Sequence, residues 1–210
     1  HAISIPQKEI WSAHLAAKAR LFALIQERTH LSLSVDTLTI GFARRATLYK
    51  RADLIFSDID RLVEVAKQVG PIQFVFAGKA HPKDNPGKEV IRRIFEVSHQ
   101  LQGQIPVVFL EDYDMELSRL IVSGVDLWLN TPQRPLEASG TSGMKAAHNG
   151  VPSFSILDGW WIEGHIEGVT GWAIGSKEPE LSKSDDFNRD DAEDFTVNGA
   201  LVEEHRTGGQ

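Results

Sequence analysis

Leu38-Thr39-Ile40-Gly41-Phe42-Ala43 runs directly into Arg44-Arg45-Ala46-Thr47-Leu48-Tyr49-Lys50-Arg51. Six mostly apolar residues have the length of a buried strand, and the cationic run behind them has to leave the core. The same pattern recurs downstream. Apolar runs of strand length occupy Gln73–Ala77, Pro106–Leu110, Val125–Asn130 and Val151–Leu157, and Gly171–Gly175 is either a sixth strand or an edge. Between them lie helical patterns at Tyr49–Val69, Lys88–Leu101, Met115–Ser123 and Ser142–Asn149. A packing helix from Ile5 to Thr29 precedes them, with Trp11, Leu15, Ala19, Phe22 and Ile25 on one apolar stripe. Strands alternating with helices predict an α/β fold, a doubly wound Rossmann-like parallel sheet, because each parallel pair needs a right-handed crossover. With the order 3-2-1-4-5, the first and fourth strands meet at the switch point, where such sheets bind ligands.

Composition narrows the chemistry. The chain has 210 residues and no cysteine, which excludes a disulfide scaffold and any Cys-ligated zinc or iron–sulfur site. Eight histidines show no H-E-x-x-H spacing, so no metal site is expected. The net charge is −7, but the segment after residue 175 carries ten acids against four bases, leaving the body nearly neutral. Such a body has no pervasive field for nucleic acid or a membrane surface, although a local basic site can still hold a phosphate. No apolar run has bilayer-spanning length, and the opening HAISIPQKEI lacks a signal-peptide pattern, so the expected location is cytoplasmic.

Two loops carry the candidate chemistry. After the first strand, Arg44, Arg45, Lys50 and Arg51 place four cations within eight residues. They form either a solvated helix face or, opposite a phosphate-binding loop, an anion site. After the fourth strand comes Pro135-Leu136-Glu137-Ala138-Ser139-Gly140-Thr141-Ser142-Gly143-Met144-Lys145. Its small residues can bring backbone N–H groups to an anion at a helix start, or simply make a tight turn with a hydroxyl cap. It matches neither G-x-x-x-x-G-K-[ST] nor G-x-G-x-x-G. Glu137 repels phosphate, so it is either an acceptor for sugar hydroxyls or the partner of an arginine. Lys145 reads as a phosphate ligand, an imine-forming amine or a surface lysine, and cationic neighbours would favour the imine by lowering its pKa. Asp158-Gly159-Trp160-Trp161-Ile162-Glu163-Gly164 suits either a carbohydrate-facing wall or core packing.

Glu137 through Lys145, with Asn149-Gly150 behind, resembles the pyridoxal-phosphate lysine motif of the glycogen and α-glucan phosphorylases. Arg44-Arg45 with Tyr49-Lys50-Arg51 resembles that family's second signature, and Asp158-Gly159-Trp160-Trp161 resembles its bacterial and archaeal branch. The resemblance runs in order from Ile5 to Gly175. It implies phosphorolysis of an α-1,4-glucan by inorganic phosphate to α-glucose 1-phosphate, with pyridoxal 5'-phosphate as cofactor, held by Lys145 as a Schiff base and acting through its phosphate. Carried over position by position, it implies catalytic roles for Lys145, Arg45 and Lys50, with Arg45 on the substrate phosphate. Cofactor contacts fall to Lys145, Lys50, Arg44, Thr141, Gly140 and Tyr113, and substrate contacts to Glu137, Ser139, Gly140, Tyr49 and Arg45. Arg44 stands where other members have lysine, which keeps the charge and changes the donor geometry.

The resemblance also implies the carboxyl-terminal half of a two-domain glycosyltransferase architecture, lacking the amino-terminal domain that closes the cleft, and hence a chain inactive alone. The expected organisation is a packing helix and connection over 1–35, a Rossmann-like domain binding cofactor, phosphate and glucose over 36–176, and an acidic tail over 177–210. Truncation and disorder both stand open for that tail, which does not resemble the family's closing helices. Homo-oligomerisation is left open. Two other functions compete: a nucleotide-sugar glycosyltransferase of the glycogen-synthase kind, and a non-catalytic phosphate-binding fragment.

Overall fold

A computed structural model describes residues 4–175, in which six parallel strands form one sheet in the order β3-β2-β1-β4-β5-β6. The strands are β1 (Leu38–Ala43), β2 (Ile72–Ala77), β3 (Val107–Leu110), β4 (Leu127–Asn130), β5 (Ser153–Ile156) and β6 (Gly171–Ile174). The predicted α/β doubly wound sheet is thus present, and the uncertain last run is its parallel edge strand. The predicted acidic tail lies outside the described residues.

Alternation along β2 shows why the sheet is covered on both sides. Phe74 and Phe76 join Ile40 and Phe42 of β1 in a core completed by Val90, Ile94 and Val97 of α3 (Asn85–Gln100). Helix α2 (Ile59–Val69) packs on the same face through Leu62, Val63 and Ala66. Val75 and Ala77 point the other way. They meet Leu21, Phe22 and Ile25 of α1 (Gln7–Thr29), Leu117, Ile121 and Val122 of α4 (Met115–Gly124), and Ala146 of α5 (Thr141–His148). Three helix starts carry an aspartate cap. Asp58, Asp84 and Asp114 accept from the N–H of Arg61, Gly87 and Leu117 at 2.9, 2.9 and 2.8 Å.

Two local expectations need correction. The α1 stripe holds at Phe22 and Ile25, which are buried, but not at Trp11, which is 52% exposed, or at Ala19, which is exposed; Lys18 and Leu21 are buried in their place. A buried carboxylate makes that possible. Asp126 accepts from Lys18 Nζ at 2.6 Å and from the Thr39 N–H at 2.7 Å, and it meets His14 Nε2 at 2.6 Å. The polar residues of the helix thus have a partner inside, and periodicity of apolar residues alone misses the buried face. The second correction is that Tyr49–Val69 is not one helix. Single 3-10 turns at Leu48–Lys50 and Leu54–Phe56 precede α2, and Arg51 is left-handed at φ 42°. The Thr131 hydroxyl lies 3.0 Å from the Lys50 carbonyl and 2.9 Å from that of Arg51, and Arg51 donates to the carbonyls of Thr131 and Pro132. Tertiary hydrogen bonds from the β4 loop replace the helical ones there.

Candidate functional site

Because β1 and β4 are adjacent and parallel, the loops that leave their carboxyl ends lie at one edge of the sheet, where its order reverses. The chain stitches these loops together. Besides the Thr131 and Arg51 bonds, the Gln133 N–H donates to the Tyr49 carbonyl at 2.6 Å. A charged cluster forms the centre of the seam: Lys50 Nζ pairs with Glu137 Oε2, and Arg44 reaches the same oxygen at 2.6 Å. Arg44 also donates to the Asn130 side-chain oxygen, and Asn130 donates to Ser155 Oγ at 3.1 Å. The Lys50 ammonium sits 4.3 Å from the centre of the Tyr49 ring.

Lys50 and Glu137 are both buried. Burial pushes the Glu137 carboxyl up, but the hydrogen bond from Lys50 and the charge and hydrogen bond of Arg44 outweigh it and hold the group below the ordinary carboxylate value. One carboxylate against two cations leaves this buried cluster with net positive charge, suited to a further anion. Of the two readings of Glu137, the ion pair is therefore formed, and it is made with both Arg44 and Lys50.

Above the cluster, the segment Glu137–Gly140 leads into α5. Gly140 caps the helix in the left-handed region, at φ 83°, and no side chain caps the N-terminus, so an N-cap hydroxyl is not what starts this helix. Without such a cap, the leading N–H groups lack their usual side-chain acceptor. Thr141 is the first helical residue and is exposed, Ser139 is half-buried, and Lys145 is exposed one turn in. Arg45 is also exposed, and among the described residues no ion pair holds it or Lys145. Tyr113, at the loop after β3, comes to the same edge, its hydroxyl 3.4 Å from the carbonyl of Ala43 and 3.0 Å from Ser118 Oγ.

The structure thus brings Arg44, Lys50, Tyr49 and Glu137 into direct contact, and puts Arg45, Tyr113, Ser139 and Gly140 on loops at this edge and Thr141 and Lys145 in the first turns of α5. In the aromatic stretch, core packing holds for one of the two tryptophans. Trp161 is 1% exposed and belongs to the interior, while Trp160 lies against the glycines of the α5 loop. Sequence reasoning passed over Asn130 and Thr131. The available signal was two polar residues closing an otherwise buried strand, a place where side chains face a ligand edge.

Two hydroxyls near this edge, Thr47 Oγ1 and Ser142 Oγ, are buried and have no hydrogen-bond partner among the described residues. Together with an uncapped helix start and an exposed amine, they fit a ligand that brings its own acceptor oxygens and a carbonyl group. Pyridoxal 5'-phosphate is such a ligand.

Comparison with known proteins gives the family. The family profile described as carbohydrate phosphorylase matches residues 5–185. A glycogen phosphorylase of Aquifex aeolicus is 47% identical over 90% of this chain, and a maltodextrin phosphorylase of Thermococcus litoralis 46% over 85%. A glycogen phosphorylase of Mycobacterium tuberculosis is 45% identical over 75% of it. The chain spans 29%, 23% and 18% of the length of these three relatives. With a family profile covering most of its length and relatives at this level of identity, the chain belongs to the carbohydrate phosphorylase family.

Proposed function

We propose that this chain forms the cofactor- and phosphate-binding part of an α-glucan phosphorylase, which transfers the terminal glucose of an α-1,4-glucan to inorganic phosphate. The observation that carries the reading is the net positive, buried cluster of Arg44, Lys50 and Glu137 beside the uncapped start of α5. Two phosphates, one from substrate and one from cofactor, need this much positive potential at one place. The relatives are phosphorylases, which favours this reading over a nucleotide-sugar transferase.

In this reading Lys145 supplies the amine that holds pyridoxal 5'-phosphate, and Lys50, Arg44, Gly140 and the Thr141 N–H bind around it with Tyr113 at its flank. When bound, the cofactor contributes a phosphate group able to exchange a proton with the substrate phosphate. Arg45, exposed and free to swing, clamps the substrate phosphate. Glu137, Ser139, Gly140 and Tyr49 orient the sugar, Glu137 as a charged acceptor for its hydroxyls. Keeping that carboxylate ionised is the task of Lys50 and Arg44.

Water has to be excluded from such a crevice, or hydrolysis competes with phosphorolysis. Arg45 and Lys145 are exposed in this chain, so a second wall from an amino-terminal domain is required. The test is glucose 1-phosphate release from maltodextrin and phosphate with pyridoxal phosphate supplied. The chain alone is expected to stay far below about 1 turnover per second, and the chain joined to an amino-terminal phosphorylase domain to gain activity. Failure of the joined protein to release glucose 1-phosphate, or glucosyl transfer from a nucleotide sugar in its place, would overturn the proposal.

A further inference from the structure

The loop from Glu137 to Gly143 is braced from outside by residues that the site roles above leave unused. Asp158, 5% exposed at the end of β5, directs its two carboxylate oxygens to different amides. Oδ2 accepts from the Glu137 N–H at 2.9 Å and Oδ1 from the Gly159 N–H at 2.9 Å. Two residues on, the Trp160 N–H donates to the Ser139 carbonyl at 2.8 Å. The indole of Trp160 then fills the space over the turn. A Cβ on Gly143 would stand 2.9 Å from Trp160 Nε1, and one on Gly140 3.2 Å from Trp160 Cδ1. Gly159 completes the fit, since a Cβ there would lie 2.6 Å from the Ser139 carbonyl oxygen.

We propose that Asp158 and Trp160 are positioning residues: together they fix the backbone of Glu137 and the Gly140–Gly143 turn before any ligand arrives. This deepens the function proposed above and rests on that reading of the loop. A loop of small residues is intrinsically mobile, and an anion site made of backbone N–H groups binds well only if those groups are already aimed. Asp158 holds one end of the loop by its amide and Trp160 the other by its glycines. Neither has to touch cofactor or sugar.

The experiment measures amide hydrogen exchange and pyridoxal phosphate affinity in the chain and in its Asp158→Asn, Trp160→Ala and Trp160→Phe variants. Asparagine keeps the size of the side chain but takes away the charge that strengthens both N–H bonds and leaves one acceptor oxygen where there were two. Exchange at Glu137 in Asp158→Asn, and at Gly143 in Trp160→Ala, is expected to quicken by about tenfold or more while the amides of β1 and β2 keep their protection. The dissociation constant for pyridoxal phosphate is expected to rise by about tenfold in both, and Trp160→Phe, which keeps a ring over the turn, to restore most of the loss. Unchanged exchange at Glu137 and Gly143 would overturn the proposal, as would an equal loss of protection throughout the sheet, which marks a general stabilising role. If the unsubstituted chain fails to bind pyridoxal phosphate, the reading of the site falls, and the exchange data still decide whether these residues position the loop.

Discussion

Asp126 and Glu137 show how one carboxylate can organise a neighbourhood. Asp126 ties α1 to the amino end of β1 through Lys18, His14 and the Thr39 N–H. Replacing it with alanine strands the Lys18 ammonium, itself 2% exposed, and is expected to cost about 3–5 kcal/mol in urea denaturation. A loss below about 1 kcal/mol, the worth of an exposed pair, would contradict that account. The pH dependence follows from the direction of the shifts. Burial raises the Asp126 carboxyl, but His14 and Lys18 with the Thr39 N–H bring it below its ordinary 3.8, and Glu137 lies below its ordinary 4.5 for the reasons given above. A carboxyl with a depressed folded pKa stabilises the fold above its ordinary value and loses that contribution as the pH falls through the folded one. Stability is therefore expected to drop on acidification below about pH 4, with a shallower drop in Asp126→Asn. An identical acid limb in that variant would remove Asp126 from the explanation.

At the level of elements, the strands and the starts of α1, α3, α4 and α5, to within about three residues, were legible because apolar runs and apolar periodicity are local signals. The alternation implied parallel strands, and the order 3-2-1-4-5, supposed for a doubly wound sheet, is the one the structure has, with β6 added beside β5. What stayed hidden were features decided by residues far apart in sequence. The break after Tyr49 depends on Thr131, and the buried face of α1 on Asp126, neither of which any short window contains. The two loops of the candidate site were legible for the same reason as the strands, being compact runs of unusual composition, and their meeting follows from β1 lying beside β4. Their bracing by Asp158 and Trp160 was not, since it needs the fold of β5 beside β4. Loop geometry provides the test at this scale. Gly140→Ala places a side chain in the left-handed region, a cost of about 1–2 kcal/mol, and adds the close contact with Trp160. Gly103→Ala has a similar φ of 81° with nothing near its added Cβ, so it carries the backbone cost alone. Denaturation midpoints should therefore show Gly140→Ala as the less stable. Equal midpoints would mean that the Trp160 contact has no energetic weight.

On the scale of the whole molecule, six parallel strands send their β-to-α loops to the same edge, and the crossing from β1 to β4 gathers cations, a carboxylate, an uncapped helix start and the exposed amine of Lys145 there. In the function proposed above, this edge holds pyridoxal 5'-phosphate through Lys145. The most direct measurement is incubation of the chain with pyridoxal phosphate, reduction with borohydride, and peptide mapping by mass spectrometry. The expected result is one dominant pyridoxyl adduct on Lys145, absent in Lys145→Ala. An adduct found mainly on another lysine, or none at saturating cofactor, would contradict it.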